Sequence, residues 1–431
     1  MRAWMTRLHR WAGLFMAAFL FVAGLTGAVI SWDHELDEWL NPQLFDAPAP
    51  SPEARKRGAL ELVDGLEAAD PRLRVAFAPL EVEDGHALGV SVVPRVDPAT
   101  GQPHVLGFNQ VTLNPYTGEV QGTRLWGAVS LSRENLMPFL YKLHYSLHIP
   151  NAGALELGTW FMGMVSMVWV LDCFLALCIS LPGRRAWRKS WRKSFSFRWR
   201  QGGHKRTFDL HRAGGLWAWA LLLTVAITSV SMNLRREVVR PLVERVSTLT
   251  PDIFALRAPV PVARFVEPGI RREEALALAR QEAVRRGWSA PAGAVFYSAP
   301  YRLYGVNFFE PGDDHASWGL GNPWLYLDAQ TGAYLGDRVP GTGTAGDLFL
   351  QAQLPLHTGR IAGTAGRVAM SALGLGVAML SVTGVMIWAR KRRAALRGRA
   401  RSSAAQATGE PVSASWQGVQ ETVRTPGPSS G

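Results

Sequence analysis

The sequence predicts an α-helical membrane protein: a four-span bundle carrying two small α+β domains outside the bilayer, built as an internal tandem repeat. Three observations predict it. Four windows are apolar enough to cross a bilayer, cations are confined to alternate connections, and short phrases recur about 200 residues apart.

Residues 1–10 carry Arg2, Arg7 and Arg10 and lead into the first span, 11–32, which has no charged residue before its end. A bilayer core requires about 20 apolar residues in a helix, and the same test marks 155–181, 213–233 and 364–389. The first apolar run outlasts the roughly 7–15 residues of a signal peptide and no small-residue cleavage site follows it, so it reads as an uncleaved anchor. Direction follows from Lys and Arg, which gather on cytoplasmic loops. The linker 182–212 holds eleven Lys/Arg against Asp209 alone, and Arg390, Lys391, Arg392 and Arg393 follow the fourth span. The segment 33–154 instead opens on Asp33, Glu35, Asp37 and Glu38. Both termini and the linker are therefore expected in the cytoplasm of a bacterial cell. The two long segments, 33–154 and 234–363, are expected on the periplasmic side of its inner membrane. The tail, 390–431, is basic and then, from residue 402, rich in Ser, Gly, Pro and Ala, a composition of disorder.

The net charge of +12 comes from 46 Lys/Arg against 34 Asp/Glu. Because the cations border apolar windows, they suit membrane lipid headgroups and not a nucleic-acid surface. Cys173 and Cys178 both lie in the second span, which excludes a disulfide framework.

Each periplasmic segment patterns as one helix on a small antiparallel sheet. In the first, a helix near 52–69 precedes strands at 73–78 and 88–93 and a hairpin at 111–120. In the second, a helix at 272–286 precedes strands at 295–298 and 304–309 and a hairpin at 325–334. The hairpins VTLNPYTGEV and LYLDAQTGAY echo each other, as do LHRWAGL (8–14) and LHRAGGL (210–216), and SLHIP (146–150) and PLHTG (355–359). Halves that share one orientation imply a pseudo-twofold axis along the membrane normal.

The histidines follow that repeat. His9 and His211 open spans one and three; His148 and His357 stand just before spans two and four; His144 lies one helical turn before His148. A neutral imidazole nitrogen binds haem iron axially, and two on facing helices hold a b-type haem without covalent attachment. CxxCH is absent, which excludes c-type attachment. His9 with His211 would hold one haem b near the cytoplasm. His144 or His148 with His357 would hold a second near the periplasm. Arg10 and Arg212 each follow a candidate ligand and suit haem propionates or, equally, positive-inside anchoring. Taken singly, each His is better read as an interfacial polar residue; their twofold recurrence favours ligation. His34 ends the first span, His86, His104 and His315 read as surface residues of the outer domains, and His204 as a solvated residue of the linker. Asp172 is an ionisable group inside the second span, a candidate for proton transfer or for a hydrogen bond to a neighbouring helix. Thr26-Gly27 and Thr383-Gly384 read as close-packing sites between helices.

These features together, four spans, LHRxxGL, SLHIP/PLHTG and paired TG hairpins, resemble the PepSY-associated transmembrane helix family, also called iron-regulated membrane proteins, over residues 4–394. The resemblance implies PepSY-like domains in the periplasm. It also implies, as in some members, reduction of ferric siderophores with b-type haems held by membrane histidines. Carried over by motif, His9 and His211 would serve the cytoplasmic haem, and His144, His148 and His357 the periplasmic one.

The leading expectation is thus a reductase passing electrons from a cytoplasmic or quinol donor, across two haems, to a ferric siderophore or ferric iron in the periplasm. No GxGxxG follows a strand, so no nicotinamide or flavin site is expected. The alternative is a non-catalytic anchor whose outer domains bind or restrain a periplasmic protein. A transporter is a third possibility, lacking broken helices in the sequence pattern. No catalytic or substrate-contact residue is identifiable; Trp318, Trp324 and Tyr326 fit domain core as well as a binding surface.

Overall fold

The computed structural model describes residues 1–180, 187–261, 265–313, 316 and 319–408. His315, Trp318 and the tail beyond 408 lie outside them. The helices, in chain order, are α1 Arg2–Ile30, α2 Asp33–Leu40, α3 Pro42–Phe45, α4 Ala59–Ala69, α5 Leu136–Ser146, α6 Leu157–Ser180, α7 Trp187–Ser194, α8 Gly203–Trp217, α9 Trp219–Asn233, α10 Arg240–Val243, α11 Ile253–Leu256, α12 Arg272–Arg285, α13 Ala345–Thr358 and α14 Gly363–Thr408. The strands are β1 Leu73–Pro79, β2 Leu88–Pro94, β3 Gln110–Leu113, β4 Val120–Arg124, β5 Ala292–Ser298, β6 Leu303–Phe308, β7 Trp324–Asp328 and β8 Tyr334–Arg338.

Among the described residues α1, α6 and the 360–400 stretch that contains most of α14 are long and apolar enough to cross a membrane. Their outer faces present Phe15, Phe21, Leu25, Leu171, Phe174 and Val382 outward, as lipid demands. Cys173, Leu222, Leu373 and Val377 fill the centre of the bundle.

One spanning helix was expected at 213–233. The segment is instead a helix pair, α8 and α9, bent by 69°, and the two pass the length and apolarity test for a span only together. At the break Ala218 sits at φ −88°, ψ −2°, outside helical geometry. The two flanking indoles explain the break. Trp217 Nε1 donates to the Phe195 carbonyl at 3.1 Å and Trp219 Nε1 to the Cys173 carbonyl at 3.0 Å, fixing consecutive turns to different neighbours. Gly214 and Gly215 weaken the turn before it. A second expectation also changes: the disorder placed from residue 402 does not begin there, because α14 runs to Thr408.

The outer segments were expected as two separate small sheets. They form one eight-stranded antiparallel sheet, ordered β4-β3-β2-β1-β5-β6-β7-β8. The join is β1 against β5, with Phe77 opposite Phe296, Ala78 opposite Val295 and Pro79 opposite Ala294. A sheet edge is a row of unsatisfied backbone groups, and each lobe uses the other to cover its inner one. Strands alternate as period 2 requires. Val295 and Tyr297 enter the core under α12, while Phe296 faces the opposite side, beneath Phe254 of α11. In the other lobe α4 packs Leu62, Val63 and Leu66 on Val75, Val90 and Val111. Tyr326 is buried under Phe254, and the half-buried Trp324 stacks on it.

Polar contacts reinforce the join. Glu67 accepts from Arg272 of the other lobe at 2.5 Å, from Arg95 at 2.7 Å and from the Val75 amide at 2.8 Å. Arg74 pairs with Glu267 across the same boundary. Burial raises the Glu67 carboxyl, but Arg272, the Val75 amide and Arg74 outweigh it and hold it below its ordinary 4.5. A depressed folded value stabilises fully above the unfolded value and is lost as pH falls through the folded one. Acidification below about 4.5 should therefore loosen the lobes. Glu67→Gln is expected to cost about 3 kcal/mol at neutral pH, because it leaves Arg272 half-paired in a buried place. Hydrogen exchange at the β1 and β5 amides measures both effects; equal protection in mutant and wild type at pH 7 contradicts them.

Candidate functional site

Four histidines meet in two pairs, one at each end of the bundle. His9 of α1 and His211 of α8 stand with ring centroids 6.2 Å apart at the end remote from the sheet. His144 of α5 and His357 of α13 stand 6.1 Å apart at the sheet end. Along α1, seventeen residues separate His9 from Thr26, which touches His144. At 1.5 Å per residue that is about 26 Å, most of a hydrocarbon core.

His148, expected as the alternative to His144 beside His357, stands apart from the sheet-side pair. The two do not share a helix face, because α5 ends at Ser146 and both Leu147 and His148 adopt positive φ, 53° and 54°. The turn swings the His148 ring onto Phe139, with centroids 4.6 Å apart, and its Nε2 donates to the Phe139 carbonyl at 2.9 Å.

Each paired ring is anchored through Nδ1. His144 reaches Thr26 Oγ1 at 3.1 Å and the Ala23 carbonyl at 3.0 Å. His357 reaches Thr228 Oγ1 at 3.0 Å. His211 reaches Thr383 Oγ1 and the Leu380 carbonyl, both at 3.1 Å. His9 reaches the Asp172 carboxylate at 2.8 and 3.0 Å. The three threonines donate their own hydrogens to backbone carbonyls of the preceding turn, on Val22, Thr224 and Met379. Each therefore accepts from the imidazole, which puts the ring proton on Nδ1 and leaves the Nε2 lone pair free. None of the four Nε2 atoms has a protein partner among the described residues.

In each pair the two unengaged nitrogens could together hold a metal carried in a macrocycle. A bare ion would need more donors. Among the described residues no group of three or more His, Cys, Asp or Glu offers such a site.

A cavity of about 610 Å³ surrounds the pair remote from the sheet. Its walls include Leu20, Trp169 and Val377, and Arg2, Arg10, Arg212 and Lys391 also line it. An apolar hollow with a few charged groups suits a flat apolar ring bearing carboxylates. Arg10 makes no hydrogen bond or ion pair among the described residues. Arg212 is held by Asp209 at 3.0 Å and the Lys193 carbonyl at 2.9 Å. Gly13 and Gly215, each four residues after its histidine, line this cavity, and a Cβ on Gly13 would meet nothing within 4 Å.

Thr26-Gly27 and Thr383-Gly384, expected as close-packing sites between helices, pack against imidazoles of the neighbouring helix and hold them. A Cβ at Gly27 would lie 2.9 Å from His144 Cε1, and one at Gly384 would lie 3.2 Å from His211 Cε1. Thr228 escaped notice, although it follows His211 by the interval that separates Thr26 from His9. Asp172, a candidate for proton transfer or a helix–helix hydrogen bond, is the partner of His9. His34 and His86 lie beside Glu38, at 3.3 and 3.4 Å. Residues that orient a metal-bound imidazole typically carry 10–100-fold of metal affinity. Were haem held at the sheet-side pair, Thr228→Val would weaken its binding about 10–100-fold, read by haem titration; unchanged affinity would refute that role.

The family model of the PepSY-associated TM region matches residues 6–391 of the chain. No curated protein matches it.

Proposed function

The chain belongs to the PepSY-associated TM region family, and from that premise we propose that it is a haem-bearing oxidoreductase of the bacterial inner membrane. It passes electrons across the bilayer to ferric iron in the periplasm, carried as a ferric siderophore. The observation that carries this reading is the pair of facing imidazoles at each end of one bundle, each with Nε2 unengaged. Haem b at both pairs would supply one-electron chemistry that bridges the two faces of the membrane. His9 and His211 would hold the inner group, His144 and His357 the outer one, with Arg10 and Arg212 at the inner carboxylates. The protein's own part is to fix ring orientation through Nδ1 and to exclude water with apolar walls.

In this reading α8 and α9 form one bent span, giving four, and the chain is a tandem repeat. The matched roles of Thr26 and Thr228 and the two like lobes of the sheet support the repeat. The basic linker and tail support cytoplasmic termini and a periplasmic sheet. The electron donor is a quinol or a cytoplasmic protein.

The test is an absorption spectrum of full-length protein purified from haem-replete cells. Expected are a Soret band, a reduced α-band and about two haems per chain by pyridine haemochrome, with oxidation on adding a ferric siderophore. A colourless preparation would favour a membrane anchor that binds a periplasmic protein.

A further inference from the structure

We infer that Asp172 gives the two histidine pairs different redox potentials, making the pair remote from the sheet the lower of the two. This rests on haem occupancy of both pairs, as proposed above. The pairs match in spacing and ring anchoring but not in charge. Thr383, Thr26 and Thr228, with the Leu380 and Ala23 carbonyls, are neutral acceptors for three of the rings. The fourth ring, His9, donates to a carboxylate at 2.8 Å. That carboxylate, on α6, is 7 % exposed.

Two effects act in the same direction. A carboxylate on Nδ1–H draws the proton away and makes Nε2 a stronger donor, which favours the oxidised metal. Its negative charge, in a poorly screened interior, also stabilises the more positive ferric state. The opposing cations are Arg2, Arg10, Arg212 and Lys391. They act more weakly. Arg212 is committed to Asp209, and Arg2, Arg10 and Lys391 are exposed, where water screens them. None of them bonds an imidazole. The sheet-side pair has no carboxylate on either ring. One electron shared between the two sites therefore rests at the sheet end, with no bond made or broken and no proton required. The bundle is thus electrically polarised toward the face where the acceptor would bind.

The experiment is a spectroelectrochemical titration of the full-length, haem-loaded protein in detergent. Two one-electron waves are expected, and His357→Ala assigns the upper by removing it. Asp172→Asn should raise the lower wave alone and shift the sharing equilibrium at least tenfold, about 59 mV for a one-electron couple. The double variant D172N/T383D, which moves the carboxylate from His9 to the facing His211, should bring the lower wave back. If D172N keeps both haems and neither wave moves, or only the upper moves, the inference falls while the haem reading stands. If D172N sheds a haem, the double variant decides: a restored low wave supports the inference, and a haem bound at high potential overturns it. A wild-type protein without haem overturns the functional reading and this inference with it.

Discussion

Replacing His144 or His357 by alanine is expected to halve the haem content and the reduced α-band, while His148→Ala leaves both unchanged. The difference is large because the two neighbours on the LHYSLH segment have opposite fates. The His144 ring faces His357 at 6.1 Å, whereas His148 is turned by two consecutive positive-φ residues onto Phe139. Removing either paired ring would leave a single imidazole to hold the group, and the Thr hydroxyl that anchored the lost ring would lose its donor. His9→Ala or His211→Ala should remove the other half, and a His9→Ala/His357→Ala double variant should be colourless. Haemochrome assay of the purified variants checks each outcome. Equal loss in His148→Ala and His144→Ala would contradict the pairing.

Gly24→Leu is expected to destabilise the bundle by about 3 kcal/mol or more, at the upper end of what overpacking costs. The reason is backbone-to-backbone contact between α1 and α14, the most extensive helix contact in the molecule. A Cβ at Gly24 would lie 2.6 Å from the Gly374 carbonyl oxygen, and one at Gly374 would lie 2.5 Å from that of Gly24. Neither obstacle is a side chain that can rotate away. Gly376→Leu is the control, since a Cβ there meets nothing within 4 Å. The midpoint of thermal unfolding in detergent should fall for Gly24→Leu and hold for Gly376→Leu. Similar midpoints would show that the helices slide apart at little cost.

Much of this was legible in the residues because it is written in local periodicity. Apolar windows announced the long helices, and the strands of both lobes fell within a few residues of their predicted places. The repeated phrases marked His9, His211 and His357, whereas SLHIP marked His148 and the ring that faces His357 is its neighbour His144. What escaped is what depends on partners far apart in sequence. Nothing in residues 73–79 says that their free edge will pair with residues 292–298. Thr26 and Thr383 read as packing residues because Thr-Gly is common where helices touch. Thr228, followed by Ser229, carries no such mark, and its one signal is an interval from His211 equal to that of Thr26 from His9. The break at Ala218 is hidden because both halves remain apolar; its cause is two indole hydrogen bonds to distant carbonyls. The choice between His144 and His148 turned on where α5 stops, a boundary that composition does not mark.

The β1–β5 join also sets a timetable for biogenesis. More than 200 residues separate the two strands, so at 5–20 residues per second the first lobe waits about 10–40 s with a bare edge after leaving the ribosome. During that interval the natural partner for β1 is the same strand of a neighbouring nascent chain. Pro79, which has no amide hydrogen to offer, stands at the end of that edge and shortens the row available for mispairing. A chain halted after α6 would keep the edge exposed permanently and should accumulate as strand-exchanged dimers or aggregates, even though every residue of its own lobe is present.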